Sequence, residues 1–65
     1  MTPELAAFLD SVQCTAPFTL DDARAMHAAL REVAKAPCEV VLRGDDVEVT
    51  IWLSDTIVTR AYRIA

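Results

Sequence analysis

A length of 65 residues allows one small domain, which buries only about 60% of the surface its unfolded chain exposes. An apolar fraction of 54% with one Gly and three Pro excludes a disordered or low-complexity chain, and no apolar run approaches the roughly 20 residues of a membrane span. The net charge of −4 argues against direct binding to nucleic acid and leaves basic partners open.

Thr2-Pro3-Glu4 spells a helix start: a capping hydroxyl, a proline at the first helical position and a carboxylate in the first turn. Leu5, Phe8, Leu9 and Val12 follow at helical spacing, which predicts a helix over about 2–13 with one apolar face. Cys14 to Pro17 then reads as a connection. Thr19 and Asp22 stand at capping-box spacing, and Asp21 and Asp22 lie where a helix dipole favours anions. The second helix is predicted over about 19–36, stopped by Pro37. Its apolar arc is Ala23, Met26, Leu30, Val33 and Ala34, with Leu20 and His27 at one edge. A stripe of Arg24, Arg31 and Lys35 beside that arc reads as a solvated face with snorkelling stems.

The remaining residues alternate with period two. Cys38 to Arg43 puts Cys38, Val40 and Leu42 on one side. The stretch 47–53 puts Val47, Val49, Ile51 and Leu53 on one side and Glu48, Thr50 and Trp52 on the other. Gly44-Asp45 makes a two-residue type II′ turn between them, pairing Arg43 with Asp46 and Val40 with Val49, so that both apolar sets share a face. A strand over about 56–64 follows; a three-residue turn would turn its other side inward, but a two-residue turn at Ser54-Asp55 is preferred because it buries Val58, Tyr62 and Ile64. It sends Val58, Arg60, Tyr62 and Ile64 inward, with Arg60 resolved by snorkelling at the sheet edge. The expected fold is α+β, two helices on one face of a three-stranded antiparallel meander (ααβββ), the other face open.

Nothing in the chain has the form of a catalytic, cofactor or metal site, and a non-enzymatic protein without cofactor is expected. His27 is the only histidine and reads as a satisfied edge-of-core residue. Cys14 and Cys38 are compatible with a disulfide or with two buried thiols; a chain that opens without a secretory signal favours reduced thiols and the cytoplasm. Arg43-Gly44-Asp45 spells the tripeptide that integrins recognise, but here the Gly serves the turn. Asp45-Asp46 lacks the dry concavity that acid–base carboxylates need.

The charge has a location. Residues 38–55 carry Glu39, Asp45, Asp46, Glu48 and Asp55 against Arg43 alone, so the whole excess of −4 sits on one hairpin. Trp52 on the open face beside these carboxylates is a candidate anchor, since Trp is over-represented at interface hot spots. The candidate partner-binding residues are therefore Glu39, Asp45, Asp46, Glu48, Trp52 and Asp55.

In its size, compact α+β plan, lack of an active site and acidic hairpin from Glu39 to Asp55, the chain resembles the small acidic anti-CRISPR proteins encoded by bacteriophages. The resemblance implies a stoichiometric inhibitor acting in a bacterial host cytoplasm. It would occupy the DNA-binding surface of a CRISPR effector complex, a basic nucleic-acid-binding partner, by imitating DNA's charge. The alternative is a small structural or regulatory subunit that self-associates through the open sheet face around Trp52. Like charges at Glu39 and Glu48 would meet across such a two-fold axis, so a monomer is expected over a homodimer.

Overall fold

In the computed structural model, which describes all 65 residues, Thr2 Oγ1 accepts from the Leu5 N–H at 3.1 Å and opens α1, Pro3–Ser11. The Thr19 capping box is complete. Thr19 Oγ1 accepts the Asp22 N–H at 3.2 Å, and the Asp22 carboxylate accepts the Thr19 N–H at 2.8 Å, opening α2, Leu20–Ala34. Both helices stop two residues earlier than their apolar spacing predicts. Val12 is already extended, because the chain beyond it is drawn towards the C-terminus. Lys35 takes a left-handed conformation (φ 52°) and returns its N–H to the Arg31 carbonyl at 2.9 Å, ending α2 before Pro37 forbids helix at Ala36.

Three strands complete the chain: β1 (Cys38–Arg43), β2 (Asp46–Trp52) and β3 (Ile57–Arg63), in the antiparallel order β1-β2-β3. The first hairpin has the register the alternation requires, with Arg43 opposite Asp46 and Val40 opposite Val49. Gly44 sits at φ 61° while Asp45 keeps a negative φ, the type II′ pattern, in which only the first turn residue needs glycine's freedom. In the second hairpin the Leu53 N–H bonds the Thr56 carbonyl at 2.9 Å, and Ile51 opposes Val58. Val58 therefore faces inward as expected. Arg60 shares its side of the sheet but is exposed, its guanidinium turned back to donate to the Thr59 carbonyl at 3.0 Å.

The core lies between the helices and one face of the sheet: Leu5 and Leu9 of α1, Leu30 of α2, and Val49, Ile51 and Val58. Leu20 departs from its expected place, since at the first turn of α2 it is 58% exposed, beyond the sheet's cover. Two long-range links tie the chain ends together. The Tyr62 hydroxyl donates to the Leu9 carbonyl at 2.7 Å, holding β3 against the last turn of α1. Beyond α1, the Ala65 N–H bonds the Cys14 carbonyl at 2.9 Å and the Ala16 N–H bonds the Ala65 carbonyl at 2.8 Å, a one-residue parallel bridge that buries Cys14.

These contacts rank three substitutions. Leu30→Ala should destabilise the domain by about 2–5 kcal/mol, enough to unfold much of so small a protein. Tyr62→Phe should cost about 0.5–1.5 kcal/mol, because it deletes one bond and leaves the Leu9 carbonyl unpartnered. Leu20→Ala should change stability by less than about 0.5 kcal/mol. Urea titrations of the three variants check the order, and equal losses at Leu20 and Leu30 would contradict it.

Candidate functional site

Because side chains alternate across a strand, the register fixes which residues stand together on the uncovered face. Four cross-strand rows result: Arg43–Asp46–Arg63 near the first turn, then Val41–Glu48–Ala61, then Glu39–Thr50–Thr59, and finally Pro37–Trp52–Ile57 near the second turn. The face thus runs from charged to apolar along the strands.

At the charged end, two of the five hairpin carboxylates are already partnered. Arg63 Nε donates to Asp46 Oδ1 at 3.0 Å, and Arg43 forms an ion pair with Glu48, Nε to Oε1 3.0 Å. Asp46 and Glu48 therefore stand in a mixed-charge patch rather than a bare anionic row. Counting Arg63 with the hairpin lowers the local excess from −4 to −3. The sequence did not signal the Asp46–Arg63 pair, since it needs the register of the third strand as well as the first two. Glu39, Asp45 and Asp55 form no ion pair within the chain. Asp45 stands at the first turn and Asp55 at the second, so these three are spread along the face rather than gathered.

At the apolar end Trp52 is on the open face, 42% exposed, directly opposite Ile57, which is 61% exposed. Ile57 is the residue that sequence reasoning left out of the site. Its signal was the same alternation that placed Trp52, carried one strand further. Neighbouring β-branched and aromatic residues across strands support each other by about 0.2–1 kcal/mol, so the pair has a structural use even when free. Trp52 and Ile57 are nonetheless the only large hydrophobic side chains exposed on this face.

Elsewhere, the smaller recesses each carry ionisable residues, among them Cys14, Tyr62 and Arg63 in one and Arg24 and His27 in another. The largest cleft, about 530 Å³, lies where the end of α1 and the following loop meet α2, and is lined by Phe8, Val12, Phe18 and Met26 among others. Its one ionisable lining residue, Asp22, is committed to the Thr19 cap. No group of three or more His, Cys, Asp or Glu side chains comes together to hold a metal ion. His27 Nε2 lies 3.0 Å from the Cys38 carbonyl and must carry the proton, because a carbonyl can only accept. Both cysteines are free, and burial pushes each thiol above its ordinary value, against a smaller opposing pull from Arg31 at Cys38. No helix of the structure is long and apolar enough to cross a membrane. No protein-family model matches the chain, and neither a curated protein nor a solved structure matches it.

Cys14, which is buried, and the half-buried Cys38 and Tyr62 give a pH dependence with a definite sign. Burial also raises Tyr62, with Arg60 opposing in part. Cys14, Cys38 and Tyr62 hold their protons more tightly folded than unfolded, so the unfolded chain deprotonates first as pH rises. Their contribution to stability is complete below the ordinary thiol value of 9.0 and is lost progressively above it. The urea midpoint should therefore fall from neutral to strongly alkaline pH, and fall less in a Cys14→Ala/Tyr62→Phe variant measured against its own neutral value. An alkaline midpoint equal to the neutral one would contradict this.

Proposed function

We propose that the protein is a non-enzymatic binding module that docks another protein on its open sheet face. Trp52 and Ile57 are the anchor, and Glu39 and Asp55 form an acidic rim. One observation carries this reading: a Trp and an Ile stand side by side on a sheet face that no element of the chain covers. Singly exposed apolar residues need no explanation, but an aromatic–aliphatic pair on a flat, uncovered face is the usual core of an interface. The charge beside it selects the partner's chemistry. Glu39 and Asp55 have no ion-pair partner of their own, so the complementary surface is an apolar socket bordered by Lys or Arg.

A basic socket of that kind also belongs to proteins that bind nucleic acid, and the narrower form of the proposal follows from it. The protein acts as a stoichiometric inhibitor, similar to the anti-CRISPR proteins, by covering the DNA-binding surface of a CRISPR effector complex. Support comes from the three unpartnered carboxylates Glu39, Asp45 and Asp55. The arginine partners of Asp46 and Glu48 shift weight from imitation of a phosphate row towards the Trp52–Ile57 anchor. Contact by β-strand rim charges steers association and makes it salt-dependent, whereas a desolvated aromatic sets the dissociation rate.

The two contributions separate experimentally, with a CRISPR effector complex as the partner assayed and competition with its target DNA as the readout. Trp52→Ala should leave the fold in place, and should weaken effector binding by about 2 kcal/mol or more. The variant Glu39→Gln/Asp45→Asn/Asp55→Asn should slow association and flatten the dependence on salt, with a smaller effect on dissociation. Full retention of affinity in a folded Trp52→Ala protein would refute the anchor. No competition with target DNA by the wild-type protein would refute the inhibitor form.

A further inference from the structure

The unpaired edge of β1 points to a second copy of this chain. In an antiparallel pair, residues alternate between those whose backbone N–H and C=O face the neighbour and those whose groups face away. The Trp52 N–H bonds the Pro37 carbonyl at 2.9 Å, which fixes the phase: Glu39, Val41 and Arg43 face β2. Cys38, Val40 and Leu42 therefore direct their backbone groups outward. The Cys38 carbonyl is already taken by His27 Nε2 at 3.0 Å, so the free part of the edge is Val40 and Leu42. The opposite edge of the sheet is blunted. On β3, Arg60 covers the Thr59 carbonyl, and the Cys14–Ala16 segment bonds Ala65 at the end of the strand. Charged side chains and covering loops are the usual protection of a sheet edge; at β1 the α2 side chains Leu20, Arg24 and His27 border a recess at Val40, and no side chain bonds the Val40 or Leu42 backbone groups.

We infer that two copies pair antiparallel through β1, about a two-fold axis at Val41, into one continuous six-stranded sheet. Three features select that register. Val40 opposes Leu42 of the second copy and Leu42 opposes Val40, so the free N–H and C=O groups of both chains are used and the capped Cys38 carbonyl is not. Glu39 opposes Arg43 of the second copy twice, giving opposite charges at the closely spaced, non-hydrogen-bonded positions of the ladder. Glu39 has no ion-pair partner within its own chain, and an arginine fork has donors for both Glu48 and a second carboxylate. Finally, Leu42 lies on the core side of the sheet yet is 40% exposed, and the neighbouring Val40 lines a shallow recess of about 190 Å³ with Leu20, Ala23, Arg24 and His27. The second copy's own Val40 and Leu42 arrive at this apolar margin. Shifting the axis to Val40 would place Glu39 opposite Val41 and demand the Cys38 carbonyl. The like charges that oppose a face-to-face dimer do not meet in this edge-to-edge one, and the face that carries Trp52 stays free.

A charge exchange tests the register without disturbing the core. Glu39→Lys and Arg43→Glu each put two like-charged pairs into the homodimer, and each should weaken self-association by about tenfold or more. Mixing the two variants makes both cross-strand pairs complementary again, so the mixture should dimerise as the wild type does, read by light scattering and sedimentation. In the wild type, the Val40 and Leu42 amides should exchange with solvent more slowly as concentration rises, while the Thr59 amide should not. A strict monomer up to millimolar concentration would overturn the proposal. So would a dimer that survives both single variants, variants that remain monomeric when mixed, or a dimer abolished by Trp52→Ala alone. That last result would instead place self-association on the open face.

Discussion

Val47, Val49 and Ile51 are each 1% exposed or less, and the side of β2 they occupy determines the rest of the molecule. Burying each such side chain contributes roughly 1.5–3 kcal/mol, so the three together are comparable with the whole stability of a small domain. A one-residue slip of β2 would turn all three to solvent and put Glu48, Thr50 and Trp52 in the core. That penalty is why the strand has a single register. The register in turn sets the rows of the open face and decides that Trp52 and Ile57 meet there. The surface on which function is proposed is thus a consequence of core burial one residue away, not an independent feature.

A core this small needs its elements held by more than the hydrophobic effect. The sheet is local in sequence: each strand pairs with the next through a short turn, so little loop entropy opposes it. α2 runs into β1 through the short Lys35–Pro37 connection, whereas α1 and the segment after it are tied to the end of β3 by the Tyr62 hydroxyl bond to Leu9 and the Cys14–Ala65 bridge. Both fall near the C-terminal end of β3, opposite the turn that precedes it. They place the burden of joining the chain's first third to its last residues on a few backbone groups. The same segment covers part of the β3 edge, which leaves β1 the more available side of the sheet.

Features encoded by periodicity or by one diagnostic residue were legible in the sequence. Gly44 and the alternation on either side of it specify the first hairpin to the residue. Thr19 and Asp22 specify the start of α2, and the inward set of β3 follows once Val58 and Tyr62 must be buried. Features made by one contact between distant residues were not legible. A single-residue bridge at Cys14 has no period to detect, and the Arg63–Asp46 pair depends on two registers and a rotamer. Leu20 stands at the edge of the helical arc by spacing, and at the first turn of α2 it remains 58% exposed. Lys35 is in the left-handed region without being Gly or Asn, because the approaching Pro37 leaves the helix no other short exit. Of the candidate site, the sequence located Trp52 on its face and the carboxylates on their hairpin. It overstated how free those carboxylates are.

The proposed edge pairing and the proposed face binding would reinforce each other geometrically. The Trp52–Ile57 row lies four residue positions along the strand from Val41, or about 13 Å at the rise of an antiparallel strand. A two-fold axis at Val41 puts the second copy's row the same distance away in the opposite direction, on the same face of the joined sheet. Including the lateral offset of β2, the two anchors stand about 30 Å apart. A partner presenting two basic, apolar-centred sockets at that spacing would engage both at once. The second contact then forms at the high effective concentration of a tethered site and strengthens binding without any new contact chemistry. Two anchors, each of modest area on a 65-residue chain, would in this way act as a single larger interface. The mixed charges of the Arg43–Asp46–Arg63 row are then intelligible as well: they lie beside the joint between copies, where neutrality lets two acidic chains approach.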